Sequence, residues 1–536
     1  MTSGENSSAG KAAAARDAHR AGDNTTALAL ISQALERMDA AEAWDLKGDI
    51  LLALAQYSDA VDAYSRAVEL EPGDARFLHD LGRSLLQSGR AAEAESALAQ
   101  AATLKPGAWV ILSDLGAAQL EQGAANNALA SFSEALAARP DSALVYFNRG
   151  NALQDLSRFD EAESSYRSAL RFAPDHFPAL ISLATLVSDR GQINDAEKLL
   201  AQARALGPHE ALLDQADALV KLRYGLLREG FAAYESRFRP SRYGLQRRPF
   251  ACPQWQGGDL AERDILIWTE QGLGEEILAA SMFAEIVGAA RSCTIECSDR
   301  TVPLFQRSFE GARVVARHEP PDPATLGRFD YQTAALSLGK MLRPDFSAFR
   351  KHTGYLRADE TLRSRLRQKY RAGDPTARVV GISWDSTARH GARKRLPLEA
   401  WGPILAIPGI RFVSLQYGVG PDDPGVKRLG LGSRLVVDGE IDALNNLDAS
   451  AAQVAAMDLV ITVSNTTAHL AGALGIPVWT LLADGPGCFW YWFRDRNDSP
   501  WYPSMRMIRQ PSPGDWQAVV SQVAGSLVEK AGQSRL

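Results

Sequence analysis

Hydrophobic and polar positions along this 536-residue chain follow two different rhythms, one on each side of about residue 240. Before it, apolar residues recur at helical spacing, and proline recurs every 34 residues at Pro72, Pro106, Pro140, Pro174 and Pro208. Counting back from each proline, alanine stands at −12 (Ala60, Ala94, Ala128, Ala162, Ala196) and at −5 (Ala67, Ala101, Ala135, Ala169, Ala203). The −24 column reads Gly48, Gly82, Gly116, Gly150 and Ala184, and the −8 column reads Tyr64, Leu98, Phe132, Tyr166 and Leu200. Small residues at fixed spacing predict close helix crossings, and the large apolar column predicts the side chains that fill the gaps. Each proline predicts a helix end, because its ring and missing N–H cannot continue one.

This register resembles the tetratricopeptide repeat, a helix–turn–helix unit of about 34 residues. It predicts an α solenoid over residues 13–240. A degenerate first unit carries Ala27, Ile31 and Ala34, five regular units run from 41 to 208, and a helical stretch at 210–238 closes the stack. Residues 1–12 are expected to be disordered. Such arrays recognise polypeptides on a concave face, and a purely scaffolding or dimerising role is the alternative.

After 240 the period shortens. Residues 241–262 carry Pro, Gly and Arg without helical spacing and read as a linker. Short apolar runs then alternate with amphipathic helices: Ile265–Trp268, Cys293–Cys297, Arg313–Ala316 and Asp330–Leu336, then Val379–Trp384, Arg411–Leu415, Arg434–Val437, Leu459–Val463 and Pro477–Leu482. Alternation of this kind predicts two α/β lobes of Rossmann type with parallel sheets, at 263–370 and 371–536, with a charged helical hinge at 355–376. Two such lobes place a ligand at the C-terminal ends of their strands.

Four stretches carry candidate chemistry. In DLVITVSNTTAHLAGALGIPVWTLL, residues 458–482, a strand delivers Ser464, Asn465, Thr466 and Thr467 to a helix start. One such residue suffices to cap a helix, and four in a row also make a site for phosphate. His469 follows on that helix, facing either the cleft or the core. In ILIWTEQGLGEEILAASMF, residues 265–283, Gly272 and Gly274 let the backbone approach a ligand, and Glu275 and Glu276 open a helix. In GISWDSTARHGARKRLPLEAW, residues 381–401, Ser383 and Trp384 end a strand ahead of Arg389, Arg393, Lys394 and Arg395, cations suited to a leaving phosphate or to solvent. In FVSLQYG, residues 412–418, Gln416 and Tyr417 end a further strand, where they either contact a base or serve structure. The cluster CFWYWF at 488–493, with Trp501 and Tyr502, reads as core ahead of sugar platform. Asp495 and Asp498 do not amount to a metal site.

The run Ser-Asn-Thr-Thr-x-His-Leu-x-Gly-x-Leu-Gly-x-Pro resembles the donor-diphosphate segment of the ADP-heptose transferase and O-GlcNAc transferase groups, which have the GT-B fold. Joined to a solenoid, it resembles the bacterial tetratricopeptide glycosyltransferases that modify flagellin. The resemblance implies metal-independent, inverting transfer of a sugar from a nucleotide donor to Ser or Thr of an acceptor protein held by the repeats. It implies flagellin as acceptor and a nonulosonic acid, pseudaminic or legionaminic, as donor sugar. It also implies Lys394 on the phosphate and an acid at 275 acting as base, where that family has Asp and this chain has Glu275. Transfer onto lipopolysaccharide, or a repeat adaptor without catalysis, are the alternatives.

Bulk properties narrow the picture. A net charge of −6 and pI near 5.9 imply no general affinity for nucleic acid. No apolar run is long enough to span a membrane, the polar N-terminus lacks a signal-like apolar stretch, and four cysteines fit a reducing cytoplasm. Cys293 and Cys297 are expected as core thiols. No cofactor is expected, and a homodimer is a further expectation, since repeat arrays often pair.

Overall fold

The computed structural model describes residues 7–207, 211–239, 245–322, 326–386, 394–430 and 434–531. The chain divides into two compact units, 1–183 and 184–536.

The first unit is a tetratricopeptide solenoid. Its helix pairs are Ser8–Arg20 with Asn24–Leu35, Ala41–Ala53 with Tyr57–Leu70, Ala75–Gln87 with Ala91–Leu104, Trp109–Glu121 with Ala125–Ala138, and Ala143–Asp155 with Phe159–Phe172. The columns of the sequence become contacts. A Cβ added to Gly48, Gly82, Gly116 or Gly150 would lie 2.5–2.6 Å from Tyr64, Leu98, Phe132 or Tyr166 respectively. Glycine therefore stands where the two helices of one unit cross, and the large residue of the −8 column occupies the room its missing side chain leaves. The alanines at −12 and −5 in these units are fully buried. Each second helix stops two residues short of its proline, and the residue between leaves the helical region, with φ near −136° at Glu71, −132° at Lys105, −138° at Arg139 and −138° at Ala173. That is the restriction a following proline imposes. Pro208 lies outside the described residues.

Two expectations are corrected here. Disorder does not extend over residues 8–12, which are helical. Ser7 caps that helix through a bond from the Gly10 N–H, and an alanine-rich run propagates it. The unit boundary also falls at 183/184, inside the helix Phe177–Asp189, and not at 240. Leu222, Phe231 and Tyr234, from the helices Ala211–Arg223 and Leu227–Tyr234, share one apolar core with Ile265, Ile277 and Phe283.

In the second unit, β1 (Asp264–Trp268), β2 (Ser292–Cys297), β3 (Ala312–Ala316) and β4 (Tyr331–Ala334) form a parallel sheet of order β3-β2-β1-β4. A second parallel sheet, of order β10-β9-β8-β5-β6-β7, comprises β5 (Arg378–Ser383), β6 (Ile410–Ser414), β7 (Leu435–Val436), β8 (Leu459–Val463), β9 (Val478–Leu482) and β10 (Met505–Arg509). The helix Glu360–Arg371 lies between the two series. The segment read as a linker is packed: the Trp255 N–H donates to Gln332 O at 2.8 Å, the Gln332 N–H donates to Pro253 O at 3.0 Å, and Arg248 forms a buried ion pair with Glu296. Strand β10 has no counterpart among the predicted runs. It is an edge strand in which buried Met505 and Met507 alternate with exposed Arg506, too short a pattern to stand out. Cys293 and Cys297 are buried free thiols.

Candidate functional site

Each sheet has one place where strand order reverses, between β1 and β4 in the first and between β5 and β8 in the second. The loops leaving β1 and β8 face one cleft of about 320 Å³. Gly272, Gly274 and Glu275 line it from the cap and first turn of the helix Leu273–Ala280, and Ser464, Asn465, Thr466, Thr467 and His469 from the start of the helix Thr466–Ala473. Ligands of open α/β sheets bind at such switch points.

The Ser-Asn-Thr-Thr run divides its labour. Asn465 caps the helix, accepting from the Thr467 N–H at 3.0 Å, and its amide donates to Ser383 Oγ at 2.8 Å and to Asp385 O at 3.0 Å. It also accepts from Thr462 Oγ1 at 3.0 Å, so it fastens β8 to β5. Ser464 Oγ accepts from Trp492 Nε1 at 2.8 Å. Among the described residues neither threonine hydroxyl makes a hydrogen bond. Thr466 and Thr467 therefore hold the donor groups that remain unspent at this helix start, where the macrodipole is positive.

Across the cleft, Glu275 stands in the first turn of its helix and accepts from the Tyr491 hydroxyl at 3.3 Å. Burial pushes its carboxyl up, against the pull of its own backbone N–H, Tyr491 and Lys394. Glu276 points away: it accepts from the Ser298 N–H and from Thr301 Oγ1, both at 2.8 Å, and ties the helix to the end of β2. His469 is buried where it meets the cleft. Its Nδ1 shares a hydrogen bond with the Tyr502 hydroxyl at 2.8 Å, and burial, with Lys394 nearby, pushes it down to about 3, so it stays neutral. Gly274 is required here, because a Cβ would come within 2.9 Å of the His469 ring.

Lys394 is buried, its ammonium 3.5 Å from the centre of the Phe489 ring, and burial lowers it to about 8. Phe489 and Tyr491 line the cleft. Arg395 is committed to Asp385 at 2.7 Å, and Arg389 and Arg393 lie outside the described residues. Ser383, Trp384 and Gln416, the strand-end candidates, are not among the residues that line the cleft. All three are buried, and Gln416 Oε1 accepts from Ser383 Oγ, the Trp384 N–H and the Asp385 N–H, each at 2.9 Å. Tyr417 does line the cleft. Of the aromatic cluster, Trp490, Tyr491, Trp492, Phe493, Trp501 and Tyr502 are buried, as a core reading expects, and Phe489 is 37% exposed.

Sequence reasoning missed Arg300. It lines the cleft, its guanidinium makes no salt bridge among the described residues, and its Nε is buried without a hydrogen-bond partner. The signal was its position, three residues past the C-terminal end of β2.

The chain matches the tetratricopeptide repeat family over residues 12–75, 46–108 and 143–176. It is similar to Protein FlbA of Caulobacter vibrioides, with 33% identity over 333 residues, covering 59% of this chain and 55% of that one. The chain thus spans about half the length of the curated relative it matches. Among solved structures it is similar to PilW, a widely conserved type IV pilus biogenesis factor, with 21% identity, a TM-score of 0.35, and coverage of 38% of this chain and 96% of that chain. It is also similar to pilF of Pseudomonas aeruginosa, with 19% identity, a TM-score of 0.34, and coverage of 39% and 96%. The helical half of this protein is a tetratricopeptide array, an architecture suited to protein–protein interaction.

Proposed function

We propose that the chain is a protein O-glycosyltransferase of GT-B architecture, whose repeats hold the acceptor polypeptide. The donor is a nucleotide-activated sugar. The resemblance of a repeat solenoid joined to such a module to flagellin-modifying transferases names flagellin as the acceptor and a nonulosonic acid as the sugar. One observation carries the reading: a buried carboxyl at Glu275, its affinity for a proton raised by that burial, lines a single cleft with the uncommitted threonines Thr466 and Thr467.

In this mechanism Glu275 removes the proton of an acceptor Ser or Thr hydroxyl. The hydroxyl oxygen bonds to the anomeric carbon as that carbon's bond to the donor phosphate breaks. The departing phosphate keeps the electron pair, and Thr466, Thr467 and the helix start stabilise its charge with Lys394. A raised carboxyl suits a base that works near neutral pH.

The test is titration of the full chain and its Thr466→Val/Thr467→Val variant with nucleotide sugars by calorimetry. Loss of two hydroxyl donors to an ionised phosphate should weaken binding by about ten-fold or more. Equal affinity in the two proteins would remove the phosphate site and the transfer proposal with it.

A further inference from the structure

The loop that leaves β2 is fastened to the helix that carries Glu275. Glu276 Oε1 accepts from the Ser298 N–H and from Thr301 Oγ1, both at 2.8 Å, and the Thr301 N–H closes the turn on Ser298 O at 2.9 Å. Arg300 stands inside that turn, and its backbone N–H donates to Asp299 Oδ1 at 2.9 Å. One carboxylate thus fixes the backbone of Arg300 to the helix Leu273–Ala280, whose first turn places Glu275 in the cleft.

Among the described residues that line the cleft, Arg300 is the one cation and Glu275 the one acid. His469 stays neutral, and Lys394 is buried against Phe489. Arg300 is half-buried, and its Nε is enclosed, so the bonds it can offer a ligand come from Nη1 and Nη2. Asp442 feels its charge but is spent on its own loop. There Oδ1 accepts from the Leu444 and Asn445 N–H groups at 3.0 and 3.1 Å, and Oδ2 accepts from Asn445 Nδ2 at 2.7 Å. Those bonds hold the Asp442 carboxyl low, the Asn445 side chain foremost and Arg300 last.

The groups suited to anions therefore come from different lobes. Thr466 and Thr467 follow β8 in the second lobe, whereas Arg300 and Glu275 follow β2 and β1 in the first. In the transfer reading the donor phosphate takes the helix start at Thr466, and Glu275 works beside the anomeric carbon. A guanidinium fastened to the helix of Glu275 then meets the sugar and not the nucleotide. Its planar fork matches a carboxylate through two parallel bonds. A neutral sugar in this place would cover an unpaired charge, which is unfavourable.

We propose that Arg300 binds a carboxylate of the transferred sugar, so that the donor is held at two anionic points, its phosphate on one lobe and its carboxylate on the other. The inference rests on the transfer reading and assigns to Arg300 the choice of an acidic sugar over a neutral one.

The experiment is calorimetry on the full-length chain with CMP–N-acetylneuraminate and with the methyl ester of the same compound, which differ only at the carboxylate. The acid should bind about ten-fold or more tightly than the ester, the scale of a charge-assisted pair. Arg300→Gln should abolish that preference and leave ester binding unchanged, which shows that the fold is intact. Arg300→Lys, which keeps the charge without the fork, should retain about a third of it. Equal binding of acid and ester to the full chain would overturn the proposal, as would a preference that survives in Arg300→Gln. A preference for UDP over UMP that Arg300→Gln removes would also overturn it, because the guanidinium would then serve a second phosphate. The Thr466→Val/Thr467→Val variant should weaken acid and ester alike, so failure of the phosphate site and failure of the carboxylate site leave different patterns.

Discussion

The helical half is assembled from near neighbours and the α/β half from distant ones. Tyr64 bonds to Asp49, 15 positions back, and the units of Gly48, Gly82, Gly116 and Gly150 each repeat that closeness through a glycine of their own. In the α/β half Asn465 bonds to Ser383, 82 positions away, and Tyr491 bonds to Glu275, 216 positions away. The difference teaches where each half is vulnerable. Local contacts repeated in register make a surface that tolerates variation unit by unit, because each unit leans only on its neighbours. Long-range contacts make one cleft, in which every group depends on elements far apart in the chain.

The sharpest way to break this comparison is at the cleft. Glu275→Gln should lower the rate of sugar transfer by about a thousand-fold, the scale of a lost general base, while calorimetric donor affinity changes little. Glu275→Asp, restoring the acid of the resembling family, should retain turnover. A fully active Gln variant would remove the long-range carboxyl from the chemistry.

The next effect belongs to the repeats. Gly116→Val would drive a side chain into Phe132, and overpacking of this kind should cost about 1–3 kcal/mol in urea unfolding. Donor affinity should be unaffected. A variant of unchanged stability would show that the glycine column does not mark the helix crossings.

The smallest effect concerns pH. Lys394 is lowered from 10.5 to about 8, so it is charged below that value and neutral above it. Donor affinity should therefore fall as pH rises through about 8, by roughly five-fold between pH 7 and 9 if one charge-assisted bond is lost. Lys394→Arg should flatten the curve, since arginine stays charged. Glu275 is raised by burial, so turnover should climb with pH as its carboxyl ionises, opposite in sign to the loss at Lys394. A donor affinity that does not change with pH would detach Lys394 from the phosphate.

Much of the site was legible as a list and little of it as a set of roles. Thr466, Thr467, Glu275, Gly272 and Gly274 were found from strand–loop–helix spacing, and all five line the cleft. Gln416 and Ser383 stood at equally suggestive strand ends, yet they are spent on each other and on the backbone beyond β5. Spacing identifies which residues reach the C-terminal edge of a sheet. It does not say which of their polar atoms are already taken. Arg300 was missed for the converse reason: its place just past the end of β2 is the one mark its own segment carries, and the elements opposite make it part of the cleft.

Taken alone, the sequence determined the solenoid, its register and the residues buried at each crossing, because a 34-residue period fixes contacts between residues close in the chain. It also determined that parallel strands and helices alternate after residue 240. The tertiary structure decided where the units divide, which hydroxyls remain free and which carboxylate faces them. Those outcomes depend on hydrogen bonds and burial between segments separated by tens to hundreds of residues, and no local pattern encodes such pairings.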